Sequence, residues 1–352
     1  AQFDYESKIT DDMIDYIARF IAKVCNDENL PHCTKDGVAA IVEWAAAHAG
    51  SQNRVTLKFS DIADVIREAA FYNNGKKVKA ISRENVRKSL EWRYKRNDLI
   101  DEKVKDHILE GYTYIDTEGK RTGQINGLTV YHTGIIAFGK PARITASVSS
   151  GNSGIINIER EADMSGSIHN KGVLIITGFL REKFAQKRPL TLTASIAFEQ
   201  SYGGIDGDSA SAAEIYILLS ALAEVPISQE FAITGSLNQK GDIQPIGGVN
   251  EKIKGFFEIC RDRGFTGNQG VIIPAQNVKD LMLDEDIIEA VKDKKFNIYP
   301  IEHIDEGVKL LMGINPGKLS KTGKYPKDTL YRKVTDKLEL FYKYAKEKED
   351  NE

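Results

Sequence analysis

Apolar residues recur at helical spacing through the first hundred positions, and shorter β-rich runs replace them thereafter. Met13, Ile14, Ile17, Phe20, Ile21 and Val24 mark one face of a first helix, behind a start signal at Thr10-Asp11-Asp12. A second helix is predicted over about 35–49. A third opens at Ser60, a good N-cap, and stops at Asn73-Asn74-Gly75. A fourth opens at Ser82 and continues as a charged helix to about 109. Four helices without strands predict a small all-α helical domain over residues 1–109.

The pattern then changes. Gly111–Ile115 and Arg121–Ile125 flank Asp116-Thr117-Glu118-Gly119 as a hairpin would, and Leu128–Ile136 and Ala142–Val148 continue in β-rich texture. Strands over Ile155–Ile158, Leu190–Phe198, Phe231–Thr234 and Gly270–Ile273 alternate with helices near 169–185, from Ser209, and over 248–263. A last strand and helix (Phe296–Pro300, Ile304–Met312) close an expected α/β or α+β domain over 110–314. Residues 315–352 read as a Pro/Gly/Lys-rich linker and a terminal helix, Asp328–Lys348, whose apolar positions favour packing on the body of the protein.

Composition narrows the function. The 352 residues suggest two domains, and 41% apolar with 28% charged residues is ordinary for a globular protein with a real core. A net charge of -3 gives no pull toward nucleic acid. No apolar run approaches the roughly 18 residues of a membrane span, and no signal-peptide pattern opens the chain. Cys25, Cys33 and Cys260 are odd in number and widely spaced, so neither disulfides nor a metal site is expected, and a cytoplasmic location is. The start at Ala1 points to a piece of something longer, or to processing.

Two segments carry the chemistry: Gly207-Asp208-Ser209-Ala210-Ser211 and Pro245-Ile246-Gly247-Gly248-Val249-Asn250-Glu251-Lys252. Each joins a glycine-containing turn to an apolar-periodic helix. A serine hydroxyl needs a base to become a nucleophile at neutral pH, and a desolvated lysine amine can be that base. The ordinary reading of Ser209 or Asp208 is a helix N-cap, and that of an isolated lysine is solvated surface. Periodicity argues otherwise for Lys252. It falls on the face defined by Val249, Ile253, Phe256 and Phe257, whereas Lys254 falls away from it. Burial there would lower the amine's pKa, and the helix N-terminus would disfavour its charge further.

Free backbone N–H groups around Asp208 and Ser209 could hold an oxyanion. The six histidines have no motif around them, so a Ser-His-Asp triad stays open only as a spatial arrangement. Asp206 could orient the loop, accept backbone N–H groups, or form a salt bridge that keeps Lys252 protonated and inactive. Glu159 and Glu161, beside Arg160, read by default as solvated edge charges. No G-x-x-x-x-G-K-[ST] phosphate loop is present.

At these residues the chain resembles the proteolytic domain of the Lon proteases, most closely the bacterial LonB-type branch. The resemblance covers 123–312. It includes Gly123-Gln124-Ile125-Asn126-Gly127-Leu128, Phe138-Gly139-Lys140-Pro141-Ala142-Arg143-Ile144-Thr145-Ala146, Ile168-His169-Asn170-Lys171-Gly172, Phe198-Glu199-Gln200-Ser201-Tyr202 and the two segments above. It implies Ser209 as nucleophile, Lys252 as general base and Thr234 as the hydroxyl that positions the lysine. Asp206 would be the acidic residue before the serine, and Glu159 the acidic residue near the active-site strand. Where some branches carry histidines upstream of the nucleophile, this chain has residues such as Ser195.

The segment 1–108 resembles the small α-helical subdomain that follows the nucleotide-binding core of AAA+ modules, through helix order and Val42-Glu43…Ala49-Gly50-Ser51-Gln52. Ala47 stands where that branch commonly carries a nucleotide-sensing arginine. The resemblance implies unfolded polypeptides as substrates and a homohexameric ring. It implies no cofactor in this chain, with ATP and magnesium expected only where an upstream AAA+ core is present in the full protein. Two rivals stand beside the peptidase: a silent assembly module with Asp206 locking Lys252, and a hydrolase of small amides or esters using the same pair.

Overall fold

The structure, a computed structural model, describes residues 2–71, 79–134 and 136–349. The chain divides into two compact units. One comprises Ala1–Lys103 with His132–Ile136 and Lys279–Leu283; the other comprises Val104–Tyr131, Ala137–Val278 and Asp284–Glu352.

The first unit holds β1 (Glu6–Lys8), α1 (Asp11–Asp27), α2 (Lys35–His48), β2 (Arg54–Thr56), α3 (Phe59–Phe71) and α4 (Arg83–Lys95); the division between units falls inside α5 (Leu99–Leu109). Side chains start three of these helices. Thr10 accepts from the Met13 amide at 3.2 Å, Thr34 from Gly37 at 3.2 Å, and Ser82 forms a reciprocal capping box with Asn85. Ile17, Ile21, Ile41, Ile62, Ile66 and Ile81 are buried together as its core.

Three expectations change here. The unit is not strand-free: β1 and β2 pair antiparallel, Glu6 opposite Thr56. The third helix begins at Phe59, so Ser60 lies inside its first turn, and the expected stop at Asn73-Asn74-Gly75 lies outside the described residues. The long charged fourth helix is two helices. Asn97 breaks it: its side-chain amide donates to the Arg93 carbonyl at 2.7 Å and its own N–H reaches back to Tyr94, competing with the helical ladder. The unit also takes in the distant segment 279–283, where the Gln52 side chain donates to the Leu281 carbonyl at 2.8 Å.

The second unit continues in chain order with β3 (Lys120–Arg121), β4 (Gln124–His132), β5 (Ala137–Ser149), β6 (Gly154–Asn157), α6 (Ile158–Glu161), α7 (Ser167–Phe184), β7 (Thr193–Phe198) and α8 (Ser211–Ala223). Then come β8 (Ile227–Ser228), β9 (Phe231–Ile233), β10 (Ser236–Leu237), β11 (Ile243–Gln244), α9 (Val249–Arg263), β12 (Gly270–Pro274) and a 3-10 turn, Ala275–Asp280. α10 (Glu285–Lys292), β13 (Asn297–Ile301), α11 (Ile304–Met312) and α12 (Leu330–Glu349) complete it. Seven strands form a mixed sheet in the order β13-β12-β9-β4-β5-β7-β6. β5 and β7 are antiparallel, with Ile144 opposite Phe198, whereas β6 runs parallel to β7 at the sheet edge.

Alternation decides which face of the sheet is covered. Ala194, Ile196 and Phe198 of β7 are buried with Ile144 of β5, and α8 lies over them. Being apolar nearly all round, α8 buries Ile215, Tyr216, Ile217, Leu218 and Leu219. On it packs α12, through Leu330, Tyr331, Val334, Leu338 and Phe341, so the terminal helix belongs to the body.

The expected 111–125 hairpin does not form. Lys120–Arg121 pair instead with Ile227–Ser228, more than a hundred residues away, and the Tyr114 amide is held by the Gln200 side chain at 2.7 Å. The strand expected from Leu190 begins at Thr193, and β8, β10, β11 and α10 had no counterpart in the sequence reading.

Candidate active site

The Lys252 side chain reaches its position because α9 lies against β5 with no side chains between them at one point. Gly139 and Gly255 meet backbone to backbone: a Cβ on Gly139 would strike the Glu251 carbonyl, and one on Gly255 would strike the Gly139 carbonyl. Gly248, with φ +68, makes the tight entry to the helix. Val249, Lys252, Ile253 and Phe256 are all on the buried face, as the periodicity requires. Lys252 is 3% exposed.

Ser209 comes from the other side, on the turn that enters α8. It does not cap that helix. Ala210 stands at the N-cap and gives no side-chain hydrogen bond, so the Ser209 hydroxyl is available elsewhere. Its carbonyl is clamped instead, accepting the Gly235 amide at 2.8 Å and the Thr234 hydroxyl at 3.2 Å. Neighbouring bonds lock the same turn. The Asp208 carbonyl accepts both the amide and the hydroxyl of Ser211, and the Asp208 carboxylate accepts the Ser236 hydroxyl at 2.8 Å.

These two elements bring Lys252 Nζ to 2.9 Å from Ser209 Oγ and 3.1 Å from Thr234 Oγ1. Ser209 is half-buried, whereas Thr234 and Lys252 are buried behind it. Burial pulls the ammonium pKa down to about 8, against the opposing pull of the Asp208 and Glu251 carboxylates. An amine with this pKa is partly neutral at physiological pH and can take a proton from a hydroxyl in contact with it. Lys254, two residues on, is pulled the other way: burial lowers its pKa, but Asp284 at 2.7 Å, Glu258 and Asp286 together outweigh it and raise the value. Among the described residues, the amides of Asp208 and Ser209 donate no hydrogen bond, which leaves them open to an anionic oxygen.

Asp206 does not reach Lys252. Its carboxylate accepts the Ile168 and His169 amides at 3.1 and 3.2 Å, capping the start of α7, and bonds with the Gly207, His169 and Ile168 amides hold its pKa below the usual carboxylate range. Gly166, the residue before α7, leaves room for that carboxylate; a Cβ there would collide with it. Glu159 is not a solvated edge charge, since it is 4% exposed and its Oε1 accepts the Phe198 amide at 2.7 Å. It touches neither Ser209 nor Lys252. Glu161 remains exposed and paired with Arg160.

Two further buried groups lie beside this turn, His169 and Glu214, neither expected from the sequence to belong to the site. His169 Nε2 lies 3.4 Å from Glu214 Oε1, both side chains 1% exposed. One signal was available: Glu214 is the single charged residue in the otherwise apolar run of α8. Among the described residues, no cluster of three or more His, Cys, Asp or Glu side chains could hold a metal ion.

Two family models and several known proteins match this chain. Residues 32–96 match the family model described as the archaeal LonB AAA+ ATPase lid domain, and residues 201–313 match the Lon protease (S16) C-terminal proteolytic domain. The protein of Escherichia coli K12 named "Putative Lon protease homolog" is 39% identical over 298 residues, covering 84% of this chain and 50% of the relative. The protein of the same name from Haemophilus influenzae is 39% identical over 267 residues, covering 75% of this chain and 44% of the relative. The archaeal Lon protease of Pyrococcus abyssi is 31% identical over 296 residues, covering 82% and 28%. The chain thus spans about half the length of the first two relatives, or less. With a lid segment followed by an S16 proteolytic domain, the chain belongs to the Lon protease family.

Proposed function

We propose that this chain supplies the peptide-cleaving activity of a Lon-type serine endopeptidase, with Ser209 as nucleophile and Lys252 as general base. The observation that carries this reading is the 2.9 Å contact between the Ser209 hydroxyl and a buried amine whose pKa is pulled to about 8. Neutral Lys252 takes the Ser209 proton as the oxygen attacks a peptide carbonyl. The amides of Asp208 and Ser209 receive the oxyanion. The protonated lysine then gives its proton to the leaving amine, and water releases the acyl-enzyme.

Thr234 positions the base, holding Nζ at 3.1 Å while its own proton goes to the Ser209 carbonyl. Asp206 acts through α7 by fixing the turn that carries Ser209, and Glu159 acts through the end of β7. Substrates in this reading are unfolded polypeptides lying along β6, the edge strand of the sheet. The family supports a cytoplasmic homohexamer driven by an AAA+ core, the lid segment here being the helical part of such a module.

Cleavage of unfolded casein by the full-length protein, with Ser209→Ala and Lys252→Ala controls, tests the assignment. Loss of cleavage in both variants is expected. Cleavage that survives either substitution overturns the dyad. Turnover of small amides without casein cleavage would move the substrate class.

A further inference from the structure

Glu214, His169 and Glu159 form a buried group of titratable side chains directly behind the Ser209 turn. They come from three elements, α8, α7 and α6, and each is 4% exposed or less. Glu159 is held as an acceptor by the Phe198 amide, and Asp206, exposed on the turn, is held as an acceptor by two amides of α7. Glu214 has no such donor: among the described residues neither of its carboxyl oxygens has a hydrogen-bond partner of ordinary geometry, and neither does His169 Nε2. Two buried carboxylates beside one imidazole cannot both be charged at low cost.

The imidazole itself is gripped from the turn. The Gly207 carbonyl beside the ring favours a proton on it, and the His169 amide donates to Asp206 at 3.2 Å. With Nε2 facing Glu214 Oε1 at 3.4 Å, the nitrogen left for Gly207 is Nδ1, which must carry the proton to donate to that carbonyl. Nε2 is then an acceptor. A protonated Glu214 carboxyl is the donor that satisfies it, so one proton pairs Glu214 Oε1 with Nε2.

Resting on the Ser209–Lys252 reading, we infer that the pair of neutral His169 and protonated Glu214 is a positioning brace. It holds Asp206-Gly207 against α7 and so places Ser209 two residues further on. The surroundings favour these protonation states. Burial, then the facing Glu159, pushes the Glu214 carboxyl up to about 8, and burial keeps the imidazole below its usual value against Glu159, the Gly207 bond and Asp206. The charged or titratable groups facing the pair are Glu159 from α6 and Asp206 from the turn. Ionisation of Glu214 would remove the donor and set a second buried charge beside Glu159, loosening the turn at alkaline pH.

The test is the pH profile of kcat for unfolded-casein cleavage by the full-length protein and its Glu214→Gln variant. A glutamine amide donates to Nε2 at every pH, so wild type should lose activity above about pH 8 while Glu214→Gln should not. One unit above that point the ratio of the two should have shifted about tenfold in favour of the variant. A second readout does not need activity: the 15N shifts of the His169 ring, assigned with a His169→Gln variant, should report the Nδ1-protonated neutral tautomer at pH 7 in wild type and in Ser209→Ala. An alkaline limb unchanged by Glu214→Gln, or an Nε2-protonated or charged His169 at pH 7, overturns the brace. The expected tautomer in a protein whose cleavage survives Ser209→Ala would sustain the brace as a feature of the turn and count against the dyad.

Discussion

Thr234 Oγ1 stands 3.1 Å from Lys252 Nζ while its proton goes to the Ser209 carbonyl. One hydroxyl therefore sets both partners of the dyad: it fixes the direction of the amine and the position of the residue the amine must deprotonate. Its donor is committed to the carbonyl, so toward Lys252 it can only accept. That arrangement leaves the lone pair of a neutral amine for Ser209.

Thr234→Val keeps the shape and removes the hydroxyl. We expect kcat to fall on the order of 10- to 100-fold, by misdirecting a general base, with little change in KM. Thr234→Ser should restore most of the loss. A valine variant with normal kcat would show that packing alone positions Lys252.

Lys252 should govern the acid side of the pH–rate profile. The base must be neutral, so in the Glu214→Gln variant, which should lack the alkaline loss, kcat/KM should rise with pH and level off above about 8, and at pH 6 it should be roughly 100-fold below that plateau. The same burial has a stability consequence. The folded amine binds its proton less tightly than the unfolded one, whose ordinary value is 10.5, so stability rises with pH between about 8 and 10.5. Lys252→Met should abolish cleavage yet stabilise the protein at pH 7, by on the order of 3 kcal/mol from a shift of this size. Denaturant unfolding at pH 7 and pH 10 checks it, and the advantage of the methionine variant should shrink at the higher pH.

Asp206→Asn separates two roles for that carboxylate. A lock on Lys252 would make the asparagine variant more active than wild type. With the carboxylate on the Ile168 and His169 amides, the expected result is lower kcat and weaker hydrogen-exchange protection at the start of α7. Increased activity would return Asp206 to the regulatory role.

Gly255→Ala should cost more than its single methyl suggests. The new Cβ meets the main chain of Gly139, which cannot swing away as a side chain would. Overpacking of this kind destabilises by about 1–3 kcal/mol, and relief by a shift of α9 would draw Lys252 from Ser209. Lower thermal stability together with lower kcat is expected; a loss of stability with kcat intact would mean that β5 yields instead of α9.

Much of the site was legible in the sequence, because its parts are local. The spacing of Val249, Lys252, Ile253 and Phe256 puts a lysine on a buried helical face whatever the rest of the chain does, and that face is buried. Helix starts at Thr10 and Ser82 were readable for the same reason, since a cap and its amide lie within three residues. Ser209 as a potential nucleophile could be read, but not its freedom from capping, which depends on Gly235 and Thr234 holding its carbonyl.

Tertiary structure decided everything that pairs distant residues. Lys120–Arg121 joined Ile227–Ser228 and not the nearby segment, because a two-residue strand takes its register from whichever edge is presented to it. Asp206 and Glu159 were named as acidic residues of the site, but a carboxylate's role is set by the amides that reach it, and those belong to α7 and to the end of β7. His169 and Glu214 lie forty-five positions apart with no motif between them, and only packing α7 against α8 puts them in contact. Periodicity is a property of a segment and could say which residues turn inward; what they meet there is a property of the fold.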